Sequence, residues 1–154
     1  KHIEIRDNQT NVSYELLFGE YLKGATNIKI VDPYIRLPYQ IRNLMELLSL
    51  VAKYKPLDNS IKIHLETYND AEYMEQTSIA FRDLSESLEN QDIDFTFSYN
   101  ESIHDRYISL DTGWKAILGR ALDVWQRVFS RYDLSEYYQN SRLCKEFAVT
   151  IIKE

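Results

Sequence analysis

Hydrophobic and polar residues alternate in several short stretches of the chain, a pattern typical of strands that bury one face. The first such stretch is His2–Arg6, which reads as a short edge strand. We predict six further strands, at residues 27–31 (NIKIV), 61–65 (IKIHL), 93–99 (IDFTFSY), 106–110, 114–118 and 147–152 (FAVTII).

Three other segments repeat apolar residues at helical spacing. Ser13 can cap a first helix that ends near Gly24, and Pro38 suits the first turn of a second helix. A third helix is predicted to open at Asp70 and to run to about Glu89. The apolar stripes are Tyr14, Leu17, Phe18, Tyr21 and Leu22 in the first helix, Ile41, Leu44, Met45, Leu47, Leu48 and Val51 in the second, and Met74, Ile79, Phe81, Leu84 and Leu88 in the third.

The order of these elements predicts an α/β fold, because helices that link successive strands favour a parallel or mixed sheet with helices packed on its faces. Such sheets place binding sites at the carboxyl ends of their strands. Two loops stand at strand ends, namely residues 32–36 (DPYIR), where Asp32 can form an Asx-type turn, and the segment around His104. We expect both loops at one sheet edge, in a single domain covering residues 1–154.

The overall composition restricts the function. The formal net charge of −6 argues against a general nucleic-acid-binding surface, although a local basic cleft stays open. One cysteine, Cys144, excludes an internal disulfide and a cysteine zinc site, which favours a reducing, cytoplasmic setting. We see neither a signal peptide nor an apolar run of the roughly 20 residues that span a bilayer, and we expect no metal or cofactor. Because the sequence starts at Lys1, we expect a domain of a longer protein.

Acidic residues dominate residues 61–101, whereas basic residues dominate residues 103–131. The basic side chains there are Arg106, Lys115, Arg120, Arg127 and Arg131, and Arg36 and Arg42 lie near the other strand-end loop. One interpretation is a basic cleft that suits a phosphate or an acidic peptide. The alternative is that these arginines pair locally with carboxylates, as Arg120 could with Asp123.

The sequence IHDRYISLDTGW contains His104-x-Arg106-(x)4-Asp111, one Arg-for-Lys difference from the HxK(x)4D half-motif of phospholipase D-like phosphotransferases. Together with it, the stretches YELLFGEYL, VDPYIR, SIHDR, GWKAILGRALD and SRYDL resemble the phospholipase D-like domain at the carboxyl end of MIT (microtubule interacting and trafficking) proteins. The resemblance runs from about Tyr14 to Ile152.

This resemblance implies a phospholipase D-like α/β/α sandwich, a mixed sheet flanked by helices. In eukaryotic members the domain follows an MIT helical bundle that grips ESCRT-III tails. The domain itself is described as a membrane and phosphoinositide binder that tends to dimerise and is catalytically inactive. The sequence in hand holds no MIT bundle, so we do not carry the ESCRT link over to it. We expect a homodimer as one option, with peripheral contact to membranes.

The resemblance also assigns chemical roles. In the enzymes a histidine attacks phosphorus, a second histidine protonates the leaving oxygen, the lysine binds phosphate oxygens and the aspartate orients the histidine. His104, Arg106 and Asp111 stand at the corresponding positions here. A single half-motif would need a homodimer to supply two histidines, and arginine grips phosphate differently from lysine.

We therefore favour a non-catalytic module that binds anionic lipid headgroups or other phosphate groups. Its predicted ligand-binding residues are Tyr34, Arg36, His104, Arg106 and Arg120. One alternative is a dimeric phosphodiesterase, a nuclease or phospholipase, that uses His104 from two subunits. The other is a protein-interaction module built on the acidic third helix or on the Tyr-rich carboxyl third, where Tyr137 and Tyr138 look like a surface or dimer contact.

Overall fold

A computed structural model of the protein describes residues 1–68, 70–130 and 132–154. The predicted strands all form, with bounds close to those expected from the alternation. The strands are β1 His2–Ile5, β2 Asn27–Val31, β3 Ile61–Tyr68, β4 Ile93–Asn100, β5 Tyr107–Leu110, β6 Trp114–Leu118 and β7 Phe147–Lys153. The helices are α1 Tyr14–Leu22, α2 Pro38–Tyr54 and α3 Met74–Glu89.

The described strands form one mixed sheet of seven strands in the order β1-β7-β6-β5-β2-β3-β4. Strands β2, β3 and β4 are parallel, and α2 and α3 connect them, whereas β5, β6, β7 and β1 pair in antiparallel fashion. Since β5 runs antiparallel to β2, Val31 at the end of β2 pairs with Tyr107 at the start of β5. The two strand-end loops therefore lie at the same edge, as predicted.

The helices pack against one face of the sheet. Helix α1 contacts α2, α2 contacts α3, and α3 contacts β4. The strand residues that face them are buried, for example Ile30, Leu65 and Ile108. The other face carries a cross-strand row of polar side chains made by His64, Lys29, Ser109 and Lys115. The predicted α/β class and mixed sheet are confirmed, but within the described residues helices cover one face rather than two.

The helix ends follow local chemistry, with one difference from the prediction. The Ser13 hydroxyl oxygen accepts a hydrogen bond from the Leu16 N–H at 3.0 Å and so caps α1. Helix α3 begins at Met74 instead of Asp70, because residues 70–73 form a turn in which the Asp70 carboxylate accepts from the Glu72 N–H at 3.2 Å. No helix in the described parts of the chain has the length and apolar character needed to cross a membrane.

A long irregular segment, residues 119–146, connects β6 to β7 and packs on the helical side. Trp125 anchors it, because its indole N–H donates to the Val12 carbonyl at 3.2 Å and its ring lies 4.7 Å from that of Tyr14. An isolated antiparallel β-bridge between Trp125 and Cys144 joins the first and last parts of the segment to each other. The segment thus leaves the sheet and returns to it at the edge that holds the strand-end loops.

Candidate functional site

A cleft of about 540 Å³ opens at the edge where β2 ends and β5 begins. Four of the five predicted ligand-binding residues line it together, namely Tyr34, Arg36, Arg106 and Arg120. Tyr34 and Arg36 come from the loop after β2, Arg106 directly precedes β5, and Arg120 follows β6. The sheet register brings these three chain segments side by side, because the ends of adjacent strands share an edge.

Asp32 ties two walls of the cleft together. One carboxylate oxygen accepts from the Tyr34 N–H at 2.9 Å, which is the bond of an Asx turn, and the other accepts from the Leu122 N–H at 3.1 Å. Burial, with a smaller contribution from the nearby Asp123 carboxylate, raises the pKa of Asp32 to about 6. The two N–H donors and the charge of Arg106 act in the opposite direction. A buried carboxylate therefore lies within the electrostatic reach of Arg106.

The three cleft arginines differ in their partners. Arg36 forms an ion pair with Asp70 at 3.2 Å. For this arginine the alternative interpretation, pairing with a carboxylate, is therefore the observed one. The Arg120 Nε–H donates to the Glu146 carbonyl at 2.7 Å. Arg106 makes neither an ion pair nor a side-chain hydrogen bond with any residue that the structure describes. The guanidinium of Arg106 therefore lines the cleft without a charged partner among the described residues.

Two carboxylates also line the cleft, and sequence reasoning did not place them there. Asp123 does not pair with Arg120. Instead it lies 3.0 Å from the Lys145 ammonium, and its other oxygen accepts from the Tyr39 hydroxyl at 3.1 Å. Glu146 makes no ion pair within the described residues. Positive charge on the cleft wall is thus balanced in part by Glu146, whereas Asp123 is already neutralised.

The rest of the cleft lining comes from Gln40, Gly119, Phe147 and Ala148. The Gly119 N–H donates to the Ala148 carbonyl at 2.8 Å, and a Cβ at position 119 would lie 2.9 Å from the same oxygen. Only glycine allows the start of the cleft turn to approach β7 this closely. Gly119 could have indicated this turn in the sequence, whereas Gln40, Asp123 and Glu146 reach the cleft only through tertiary packing.

His104 and Asp111 do not join this site. The His104 side chain is exposed and is not part of the cleft wall. Asp111 lies at the far end of β5, roughly 17 Å from Arg106 along the strand, where its two carboxylate oxygens accept from the Thr26 N–H at 2.9 Å and the Thr26 hydroxyl at 2.6 Å. The structure therefore contradicts the expectation that Asp111 orients His104.

The state of Asp111 reflects this distant structural role. Partial burial works against its charged form, but the hydrogen bonds from Thr26 outweigh burial and lower the pKa of Asp111. The aspartate at the motif position holds the start of β2 to the end of β5. It has no role at the cleft.

Two further residues, His64 and Arg131, are not part of the cleft as the structure describes it. His64 sits on the polar face of the sheet, with its two ring nitrogens 2.7 Å from the Thr96 hydroxyl and 2.9 Å from the Ser98 hydroxyl. Arg131, which the charge pattern placed on the basic edge, falls outside the described residues. In residues 1–68, 70–130 and 132–154, no three His, Cys, Asp or Glu side chains cluster as metal ligands would.

Comparison with known proteins agrees with this architecture. The family model described as the phospholipase D-like domain at the C-terminus of MIT matches residues 11–153. The chain is 33% identical over 152 residues to the mouse MIT domain-containing protein 1, and the match covers 98% of this chain and 61% of the mouse protein. It thus spans about three fifths of that relative's length. The chain belongs to the family of phospholipase D-like domains found at the C-terminus of MIT proteins.

Proposed function

We propose that the cleft binds a phosphate-bearing anionic group, in particular a lipid headgroup at a membrane surface, and that it does so without catalysis. The observation that carries this proposal is the Arg106 guanidinium, which lines the cleft beside Arg120 and has no ion-pair partner among the described residues. The protein would then act in the cytoplasm and meet membranes peripherally.

The chemistry of arginine favours phosphate as the ligand. A guanidinium presents its N–H donors in a planar fork that fits two oxygens of one phosphate. Arg106 can offer this fork without breaking an existing ion pair, and Arg120 keeps its Nη donors available because its Nε alone bonds the Glu146 carbonyl. A protein of net charge −6 needs such a defined pocket, since general adsorption to an anionic surface is unfavourable for it.

The geometry does not favour phosphodiester hydrolysis. The phospholipase D-like route to this reaction needs a histidine at the phosphorus atom, and His104 is exposed and outside the cleft wall. The aspartate of the motif is at the far end of β5, bonded to Thr26. The dimeric phosphodiesterase remains a distinct alternative, which turnover of a generic phosphodiester would reveal if His104→Asn abolished it.

Calorimetric titration with inositol 1,4,5-trisphosphate tests the proposal in a soluble form. We expect Arg106→Ala to weaken binding about ten- to a hundredfold, the usual effect of removing a charge-assisted hydrogen bond. Arg82→Ala is the matched control, because Arg82 is an exposed arginine on α3 outside the cleft wall. Equal affinity of the two variants would reject the cleft as the binding site. His104→Ala should bind as the unmodified protein does.

A further inference from the structure

An apolar side chain projects from the surface beside the cleft. Phe129 is 84% exposed to solvent. The guanidinium carbon of Arg127 lies 4.9 Å from the centre of the Phe129 ring and 4.9 Å from the centre of the Tyr39 ring, so this arginine contacts both rings. A large apolar ring held in water by its neighbours is a candidate for contact with a partner or a membrane.

A chain of contacts connects Phe129 to the cleft. Arg127 joins the rings of Phe129 and Tyr39, and the Tyr39 hydroxyl donates to the Asp123 carboxylate at 3.1 Å. Asp123 lines the cleft. Phe129 is therefore connected to the cleft wall through two intervening side chains, those of Arg127 and Tyr39.

The loop that carries Phe129 begins and ends at the cleft. Beyond Gly119 and before Glu146, backbone bonds from Gln126 to Leu143 at 2.8 Å and from Lys145 to Val124 at 2.9 Å close a neck. Beyond this neck the loop exposes a series of large apolar or amphipathic side chains. These are Phe129, Tyr132, Leu134, Tyr137 and Tyr138, at 84%, 87%, 86%, 74% and 65%.

Positive charge accompanies the exposed ring. Phe129 and Arg42 line a pocket of about 320 Å³ that adjoins the cleft through Tyr39. The carboxylates of this pocket, Glu46 and Glu136, are bound by Arg142 at 2.8 and 3.4 Å. Arg42 and Arg127 make no ion pair with a described residue. The region around Phe129 thus combines apolar surface with uncompensated guanidinium groups.

We propose that Phe129 is a membrane anchor, which enters the interfacial layer of an anionic bilayer while the cleft holds the phosphate of a lipid headgroup. This inference rests on the proposed function and adds the orientation of the protein on the bilayer. Tyrosines prefer the membrane–water interface, phenylalanine enters the boundary between headgroups and acyl chains, and Arg42 and Arg127 would face lipid phosphates there. With a net charge of −6, a headgroup site alone would hold the protein weakly, and an apolar anchor supplies the second contact.

Sedimentation with phosphatidylcholine vesicles that contain a phosphoinositide tests the anchor. We expect Phe129→Ser to weaken vesicle binding by roughly tenfold, as the loss of a buried aromatic ring implies. Binding of soluble inositol 1,4,5-trisphosphate should not change. Leu57→Ser is the matched control, since Leu57 is 98% exposed but lies in the loop before β3, at the opposite edge of the sheet. Arg106→Ala should weaken both kinds of binding.

The outcomes separate the two claims. Vesicle binding by Phe129→Ser that equals binding by Leu57→Ser overturns the anchor and leaves the cleft proposal standing. If Arg106→Ala binds soluble inositol 1,4,5-trisphosphate as tightly as the unmodified protein does, the cleft proposal itself is overturned. A dimer in solution that Phe129→Ser disrupts, without any effect on vesicles, would assign the loop to a second copy of the chain and overturn the membrane anchor.

Fluorescence gives a readout that does not depend on affinity. In Phe129→Trp the new indole would report on its depth against the background of the two native tryptophans, of which Trp125 is only 3% exposed and Trp114 is partly buried against the core. We expect vesicles of brominated lipid to quench the variant more strongly than the unmodified protein. Equal quenching of the two proteins at saturating vesicle concentration would overturn the anchor.

Discussion

Replacing Asp32 with asparagine should change how the stability of the protein depends on pH. Asp32 is 1% exposed, and its two carboxylate oxygens accept the N–H groups of Tyr34 and Leu122, which belong to opposite walls of the cleft. Burial raises its pKa from an ordinary value of 3.8 to about 6. Asparagine has nearly the same shape but does not titrate.

The direction of the change in stability with pH follows from the linkage between proton binding and folding. Because the folded protein binds this proton more tightly than the unfolded chain does, the contribution of Asp32 to the free energy of unfolding is largest below about pH 4. The contribution falls as the pH rises to about 6. The shift in pKa corresponds to about 3 kcal/mol over this window. Asparagine also loses an acceptor opposite one N–H, at a cost of about 1–3 kcal/mol that does not vary with pH.

Urea unfolding of both proteins at a series of pH values between about 4 and 7 measures the effect. We expect the stability of the unmodified protein relative to Asp32→Asn to fall by about 3 kcal/mol as the pH rises through this range. Asp111→Asn is a control that should show no such slope in this range: its lowered pKa means that Asp111 stabilises the fold above its ordinary pKa of 3.8, and this contribution is lost only as the pH falls below that value. Parallel curves for the unmodified protein and Asp32→Asn would refute the reasoning.

Two further predictions concern the cleft wall. Glu146→Gln should strengthen inositol phosphate binding severalfold at low salt, because it removes a carboxylate that lines the cleft without an ion pair among the described residues. Calorimetry should show the gain shrinking as salt is added, and an unchanged affinity at low salt would contradict it. Gly119→Ala should lower the free energy of unfolding by about 1–3 kcal/mol, since its Cβ would meet the Ala148 carbonyl at 2.9 Å. An unchanged urea midpoint would show that β7 can shift away from the added Cβ without a loss of stability, and would contradict this prediction.

The local pattern of the chain was sufficient for most of the secondary structure. The predicted bounds of β2 and β6 match those observed, because alternation and adjacent turn residues are local signals. The start of α3 was predicted four residues too early. Asp70 has the chemistry of a helix cap, but it stabilises a turn before the helix and pairs with Arg36 from another loop. Because Arg36 is distant from Asp70 in the sequence, no local sequence pattern could predict this ion pair.

Exposure within the helices shows the same limit. Met45 and Ile79 fit the apolar stripes, yet they are 51% and 54% exposed. Helical spacing predicts which residues share a face, whereas the neighbours that cover that face come from distant parts of the chain. Alternation indicates that each strand buries only one face, but it does not identify the segments that cover that face.

The sequence by itself determined the α/β fold, the edge at which the two strand-end loops meet, and the arginines that line the cleft. Only the tertiary structure decided which of those arginines is free. Asp70 reaches Arg36, the Glu146 carbonyl takes Arg120, and Arg106 is left without an ion-pair partner among the described residues. His104 and Asp111 belong to one short sequence motif, but strand β5 lies between them and places them at opposite ends of the strand. Periodicity is a local property of the chain, whereas charge pairing depends on which segments the sheet brings together.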